Sequence, residues 1–182
     1  MKFAQNKTLG LFLLAGLAAL AFGIATQQIG NNFLQNLGFS KPATSPEFSL
    51  PDVDGKIHLS QEWQGKIKVI NFWATWCLPC RQELPELIAL QHELATAGVV
   101  VIGVALDRGQ AVKTFTEKLA INYPILIAGE ENGAQLAYAF GNTFNVVPFT
   151  FIVDQNERIV FTHLGELNRQ TLLTVILPLL KA

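Results

Sequence analysis

Only two of the 182 residues are cysteine, and one is methionine. Two cysteines cannot staple a miniature fold, which needs several crosslinks to replace a missing core. Charge is sparse as well. Asp, Glu, Lys and Arg make up 15% of the chain, and 13 basic against 14 acidic residues leave a formal net charge of -1. A protein that coats nucleic acid needs a concentrated excess of Lys and Arg, so nucleic acid is excluded as a partner. The chain has no internal repeats and no low-complexity runs, and no acidic residue precedes Glu47. Apolar residues, in contrast, are abundant: half of the chain is hydrophobic, and the mean hydropathy is +0.32. The length suits one domain of ordinary size with a core of its own, plus a tail.

The tail accounts for much of that hydropathy. From Leu9 to Ala25 no side chain is charged or strongly polar. At about 1.5 Å per residue a helix over this run spans about 26 Å, slightly less than a hydrocarbon core of about 30 Å. Lys2 and Lys7 precede it, and the next positive charge is Lys41. The positive-inside rule then keeps the N-terminus in the cytoplasm and exports the chain beyond residue 26. We read residues 1–26 as an uncleaved signal anchor, 27–46 as a linker and 47–182 as the folded domain. The expected location is the cytoplasmic membrane, with the domain on the periplasmic or extracellular side. Gly23 and Ala25 fit the small positions of a cleavage site, so a cleaved form is the alternative. In the linker, Ile29, Phe33, Leu34 and Leu37 recur at helical spacing, and Pro42, Ser45 and Pro46 close it.

The body reads as alternating strands and helices. Phe48 to Leu59 alternates around Asp54-Gly55, which predicts a hairpin with a two-residue turn. Ile67 to Trp73 is β-branched and aromatic, and Val99 to Leu106 is apolar at nearly every position, as in a strand covered on both faces. Between them, Cys77 to Ala97 carries Leu84, Leu87, Ile88 and Leu94 at helical spacing and stops at Gly98. This β-α-β unit predicts parallel strands. A second helix over 110–119 precedes a strand over 123–127. A Gly129–Gly133 loop leads into a short helix over 134–140. Pro148 opens a strand at Phe149–Val153, which turns through 154–157 into Ile159–His163, and a helix from Asn168 ends near Pro178. The order predicts an α/β fold with a mixed sheet between helices.

Both cysteines fall in Cys77-Leu78-Pro79-Cys80, at a strand-to-helix junction. Positions i and i+3 of a first helical turn share a face, so the two sulfurs can meet. Unpaired N–H groups and the positive end of the helix dipole favour a thiolate at Cys77. Pro79 fits a turn where its missing N–H costs nothing, and Arg81 adds a cation. Such a thiolate attacks a disulfide, forms a mixed disulfide, and is released when Cys80 attacks in turn. Zinc would need two further ligands, yet there is no second CxxC and His58, His92 and His163 are scattered. Copper(I) held by both thiolates and His163 is an alternative chemistry.

The stretch Asn71-Phe72-Trp73-Ala74-Thr75-Trp76-Cys77-Leu78-Pro79-Cys80-Arg81-Gln82-Glu83-Leu84-Pro85 resembles the active-site segment of the thioredoxin superfamily. The branch it resembles is the TlpA/ResA-like, membrane-anchored thiol-disulfide oxidoreductases, with CcmG a near relative. The similarity covers residues 47–182, including the N-terminal hairpin, a central α-β insertion and Val147-Pro148. It implies a thioredoxin-like fold and a protein-disulfide reductase without metal or cofactor. The implied partners are oxidised proteins outside the cytoplasm, as in cytochrome c maturation, with a membrane relay as electron source. Cys77 then matches the attacking cysteine, Cys80 the resolving one, and Pro148 a cis-proline that leaves the Val147 backbone free for an extended substrate. Glu83 matches an acidic residue that exchanges a proton with Cys80, its other reading being a surface charge paired with Arg81 or Lys113. Trp76 and Pro79 flank the site on the partner side, Trp73 belongs to the core, and Pro85 kinks the helix.

Two departures matter. Thioredoxin carries a buried aspartate where this chain has Asn71, which cannot exchange a proton and leaves Glu83 as the base. Phe149 replaces a small polar residue after the proline, and either narrows the substrate groove or turns inward. A DsbA-like oxidase is the competing redox reading, and a Cu(I) metallochaperone the non-enzymatic one. A peroxidase fits worse, because the Pro-x-x-x-Thr-x-x-Cys pattern of peroxiredoxins is not met.

Overall fold

The computed structural model describes residues 44–181. The signal anchor and nearly all of the linker lie outside the described residues. Among the described residues, no helix is long and apolar enough to cross a membrane.

The elements run β1 (Ser49–Pro51), β2 (Ile57–Leu59), a 3-10 turn (Ser60–Trp63), β3 (Ile67–Trp73), α1 (Leu78–Leu94), a second 3-10 turn (Ala95–Ala97) and β4 (Val99–Ala105). They continue with α2 (Gly109–Leu119), β5 (Ile125–Ile127), α3 (Glu130–Ala139), β6 (Phe149–Val153), β7 (Ile159–Leu164) and α4 (Arg169–Leu179). Five strands form one sheet in the order β5-β4-β3-β6-β7. β3, β4 and β5 run parallel, whereas β6 and β7 are antiparallel. This is the mixed α/β sheet expected from the sequence. β1 and β2 pair as a separate antiparallel hairpin, joined to the main sheet by a bridge from Asp52 to Leu126.

Alternation along the central strands divides the core in two. Ile67, Val69 and Trp73 of β3 share one cluster with Leu84, Leu87 and Leu90 of α1 and Leu172 and Ile176 of α4. Ile70 and Phe72 face the opposite side, among Phe48, Trp63, Phe140 and Phe151. Every residue of β3 and β4 is buried, which explains why Val99–Leu106 is apolar throughout. Asn71 falls on the α1 side of β3, a polar position in an otherwise apolar layer.

Two local expectations need correction. The hairpin turn has three residues, Val53 to Gly55, rather than two. The Asp52 N–H donates to the Lys56 carbonyl at 2.8 Å, and Gly55 takes the left-handed conformation at φ 84°. The Asp52 carboxylate accepts the Asp54 and Lys56 N–H groups at 2.8 and 2.9 Å, which holds the longer loop closed. The Gly129–Gly133 loop is mostly helix, because α3 begins at Glu130 with two acidic residues in its first turn. Gly133 sits there for packing: a Cβ would lie 2.7 Å from Leu106 Cγ. α4 ends at Leu179, next to Pro178 as expected, with the proline inside its last turn.

Candidate active site

The two cysteines sit where β3 delivers the chain to the N-terminus of α1. Cys77 is the N-cap, in extended conformation, and its sulfur accepts the Cys80 N–H at 3.2 Å. Pro79 occupies the first turn, as its missing donor allows. Cys77 and Cys80 are joined as a disulfide, with Cα atoms 5.3 Å apart. Cys77 Sγ lies 3.6 Å from the Val147 carbonyl oxygen, and the Val147–Pro148 peptide bond is cis. Around the nearly buried pair the surface is apolar: Trp76 is 67% and Leu78 63% exposed.

The side of the pair away from solvent is polar. Cys80 and Glu83 are both buried on α1, three residues apart. Glu83 Oε1 accepts the Asn71 Nδ2–H at 2.7 Å, and its Oε2 accepts the Leu167 N–H at 3.0 Å. Asn71 Nδ2 also donates to Thr150 Oγ1 at 3.0 Å, across the β3–β6 pair that sets Asn71 opposite Thr150. Burial pushes the Glu83 carboxyl up to about 7. The two donated hydrogen bonds pull the other way without overcoming it, and the charge of Glu166 adds to the rise. Asn71 Oδ1 is buried and has no hydrogen-bond partner among the described residues.

The structure therefore gathers Trp76, Cys77, Pro79, Cys80, Glu83, Val147 and Pro148 at one end of β3 and β6. Glu83 is paired with neither Arg81 nor Lys113. Lys113 is tied to Asp54 at 2.7 Å, and the Arg81 guanidinium lies over the Phe115 ring at 5.5 Å. Phe149 turns inward, its ring 4.7 Å from that of Phe151, so it does not narrow the site. Pro85 is inside α1 and Trp73 is wholly buried. His163 is on β7, with its Nε2 3.2 Å from the Glu166 carbonyl. Among the described residues, no three His, Cys, Asp or Glu side chains gather as metal ligands.

Sequence reasoning missed two members of the hydrogen-bond network around Glu83: Thr150, which accepts from Asn71, and Leu167, which donates to Glu83 itself. Thr150 was legible in principle, being two residues after Pro148 on a strand whose alternation points it at α1. Leu167 contributes only a backbone N–H, 84 positions away in sequence, which leaves no side-chain signal to read.

The AhpC/TSA family matches residues 43–162. A thiol-disulfide oxidoreductase ResA of Geobacillus thermodenitrificans is 31% identical over 150 residues, covering 82% of this chain and 81% of that protein. A thioredoxin-like protein YneN of Bacillus subtilis is 33% identical over 141 residues, covering 75% and 78% respectively. Among solved structures, a thiol:disulfide interchange protein of the thioredoxin family from Chlorobium tepidum superposes with a TM-score of 0.68 at 28% identity. That match covers 78% of this chain and 98% of the other.

Proposed function

The chain belongs to the AhpC/TSA family and is a thiol-disulfide oxidoreductase of the ResA type, and on that premise we propose that it reduces disulfides of particular partner proteins outside the cytoplasm. In this reading the Cys77 thiolate attacks one sulfur of a partner disulfide. The partner S–S bond breaks, its second sulfur leaves as a thiolate, and a mixed disulfide with Cys77 forms. The Glu83 carboxylate takes the proton of Cys80, whose sulfur then attacks Cys77. The partner leaves as a dithiol once its thiolates are protonated, and Cys77 and Cys80 are left oxidised. A membrane electron relay returns two electrons for the next cycle, and Leu9–Ala25 holds the domain at the cytoplasmic membrane. Trp76, Pro79 and Leu78 form the apolar rim a partner meets, and the Val147 backbone beside Pro148 receives it as an extended segment. Oxidised cysteine pairs of the kind reduced in cytochrome c maturation are the substrate class.

The direction of electron flow rests on one observation, the surroundings of the Cys77 sulfur. A strong oxidant needs a reduced form stabilised as thiolate. Here one backbone N–H points at the sulfur, and the Val147 carbonyl oxygen stands 3.6 Å from it. A carbonyl accepts the proton of a neutral thiol and repels a thiolate. The buried Glu83, when ionised, adds repulsion from behind. The reduction potential of the Cys77–Cys80 couple tests the reading. A reductant has a value near the roughly -270 mV of thioredoxin, whereas a value near the roughly -120 mV of DsbA would make the protein a disulfide donor.

A further inference from the structure

One turn of α1 beyond Cys77 opens a groove of about 650 Å³, lined by Thr75 and Arg81 on one side and by α2 on the other. Its α2 wall is one helical stripe, with Arg108 at the N-cap, Gln110, Ala111 and Thr114 along it, and Lys118 in the last turn. Arg81, Arg108 and Lys118 thus line a single groove, in a chain whose acidic residues outnumber its basic ones 14 to 13. None of the three forms an ion pair among the described residues. The neighbouring carboxylate, Asp107, is already engaged by the Thr75 N–H and hydroxyl and by the Arg108 N–H. On the other side of α2, by contrast, Lys113 is neutralised by Asp54. The Arg81 guanidinium is held over Phe115, which itself packs against Trp73 at 5.7 Å. Stacking of this kind restrains the guanidinium and leaves its N–H edges free for a carboxylate.

We propose that this groove binds an acidic, extended segment of the partner protein next to its reactive cystine, and so selects among disulfides that Cys77 would otherwise treat alike. The inference rests on the reductase reading above and names the substrate class of that same site. A peptide is the occupant the dimensions favour. The stripe from Arg108 to Lys118 is about 15 Å long at helical rise, the span of four or five extended residues. Arg81, on the near wall, follows Cys77 by one turn of α1, so carboxylates within about five residues of the partner cysteine reach the groove while the cystine lies on Cys77. The Gln110 side-chain amide supplies donors and an acceptor for the peptide backbone, and the Thr75 and Thr114 hydroxyls, whose hydrogens go to Asp107 and to the Gln110 carbonyl, serve as acceptors.

The test uses the reduced protein and two disulfide-bonded peptides of one sequence, with three aspartates or three asparagines within five residues of the cystine. Rates are normalised by those at which dithiothreitol reduces the same peptides, which removes the intrinsic effect of the charges. At about 20 mM salt the aspartate peptide is expected to react about tenfold faster than the asparagine one, a gain that about 0.5 M salt abolishes. Arg108→Gln with Lys118→Gln, both exposed and away from the sulfurs, should cut the aspartate rate about fivefold and leave the asparagine rate within twofold. Equal normalised rates for the two peptides in the unaltered protein, or a double variant that lowers both alike, overturn the inference while the asparagine rate upholds the reductase reading. Failure to reduce either peptide overturns both.

Discussion

Replacing Glu83 with glutamine should change how stability depends on pH by a predictable amount. In the folded protein, burial raises this carboxyl from the ordinary 4.5 to about 7. At about 1.4 kcal/mol per pH unit, that gap amounts to about 3 kcal/mol. The sign comes from proton binding: between pH 4.5 and 7 the folded state holds a proton that the unfolded state has released. Stability therefore falls as pH rises through that window, and levels off once both states are ionised. Glutamine cannot titrate. It keeps an acceptor for the Asn71 N–H but turns an amide N–H toward the Leu167 N–H, an offset of about 1–3 kcal/mol that does not vary with pH. The other carboxylates are common to both proteins and cancel in the difference. Urea unfolding of the oxidised wild type and Glu83→Gln at intervals from about pH 4 to 8 measures it. The stability difference should move by about 3 kcal/mol in favour of the variant across the window. A difference that stays constant over that range would refute the idea that burial governs this carboxyl.

Packing and charge elsewhere lead to two further outcomes. His58 is hydrogen-bonded by its Nδ1 to Glu62 at 2.8 Å and by its Nε2 to Asp52 at 3.1 Å, and the Glu62 contact is the main reason its pKa is raised. Its contribution is present in full below the ordinary 6.5 and is lost as pH rises through the raised value. The stability gap between wild type and His58→Gln should therefore narrow from about pH 5 to about pH 8 in urea unfolding. Gly133→Ala places a methyl 2.7 Å from Leu106 Cγ, and should cost about 1–3 kcal/mol although alanine favours helix. Thermal unfolding would show the loss, and an unchanged or raised midpoint would mean that Leu106 gives way freely.

Much of this architecture was legible in the sequence because it is written in side chains. Ile67–Trp73 and Val99–Ala105 match their expected spans to within a residue, since strands buried on both faces leave little room for polar substitution. The cysteine pair announced itself by spacing and by its place before a helix. Other features depend on backbone and on distance. Asp54-Gly55 looked like a two-residue turn because the carboxylate that lengthens it belongs to Asp52. Gly133 looked like a loop because a glycine that lets a helix approach Leu106 is indistinguishable in sequence from one that bends the chain. The environment of Glu83 combines β3, β6 and the segment before α4, and only the assembled fold brings Asn71, Thr150 and Leu167 together. The cationic groove was equally hidden. Arg81 and Arg108 are 27 positions apart in the chain, and only the packing of α2 beside α1 makes them neighbours.

The register of the central sheet also divides the site into a stiff part and a quick one. β3 pairs with β4 from Ile67 to Trp73 and with β6 from Lys68 to Phe72, where Phe72 meets Phe149, the residue after Pro148. Cys77 and the cis-proline are thus mounted at the same end of two strands that share a continuous, buried ladder. Buried ladders of this kind open only in the rarest, most global fluctuations, so the spacing between Cys77 and Val147 persists from one catalytic cycle to the next. Trp76 and Leu78 have no such restraint, being more than half exposed, and exposed side chains change rotamer in picoseconds to nanoseconds. In the function proposed above, adaptation to partners of different shape falls to that rim and is complete long before a partner dissociates. The frame behind it behaves as a rigid jig that presents the sulfur at one fixed height.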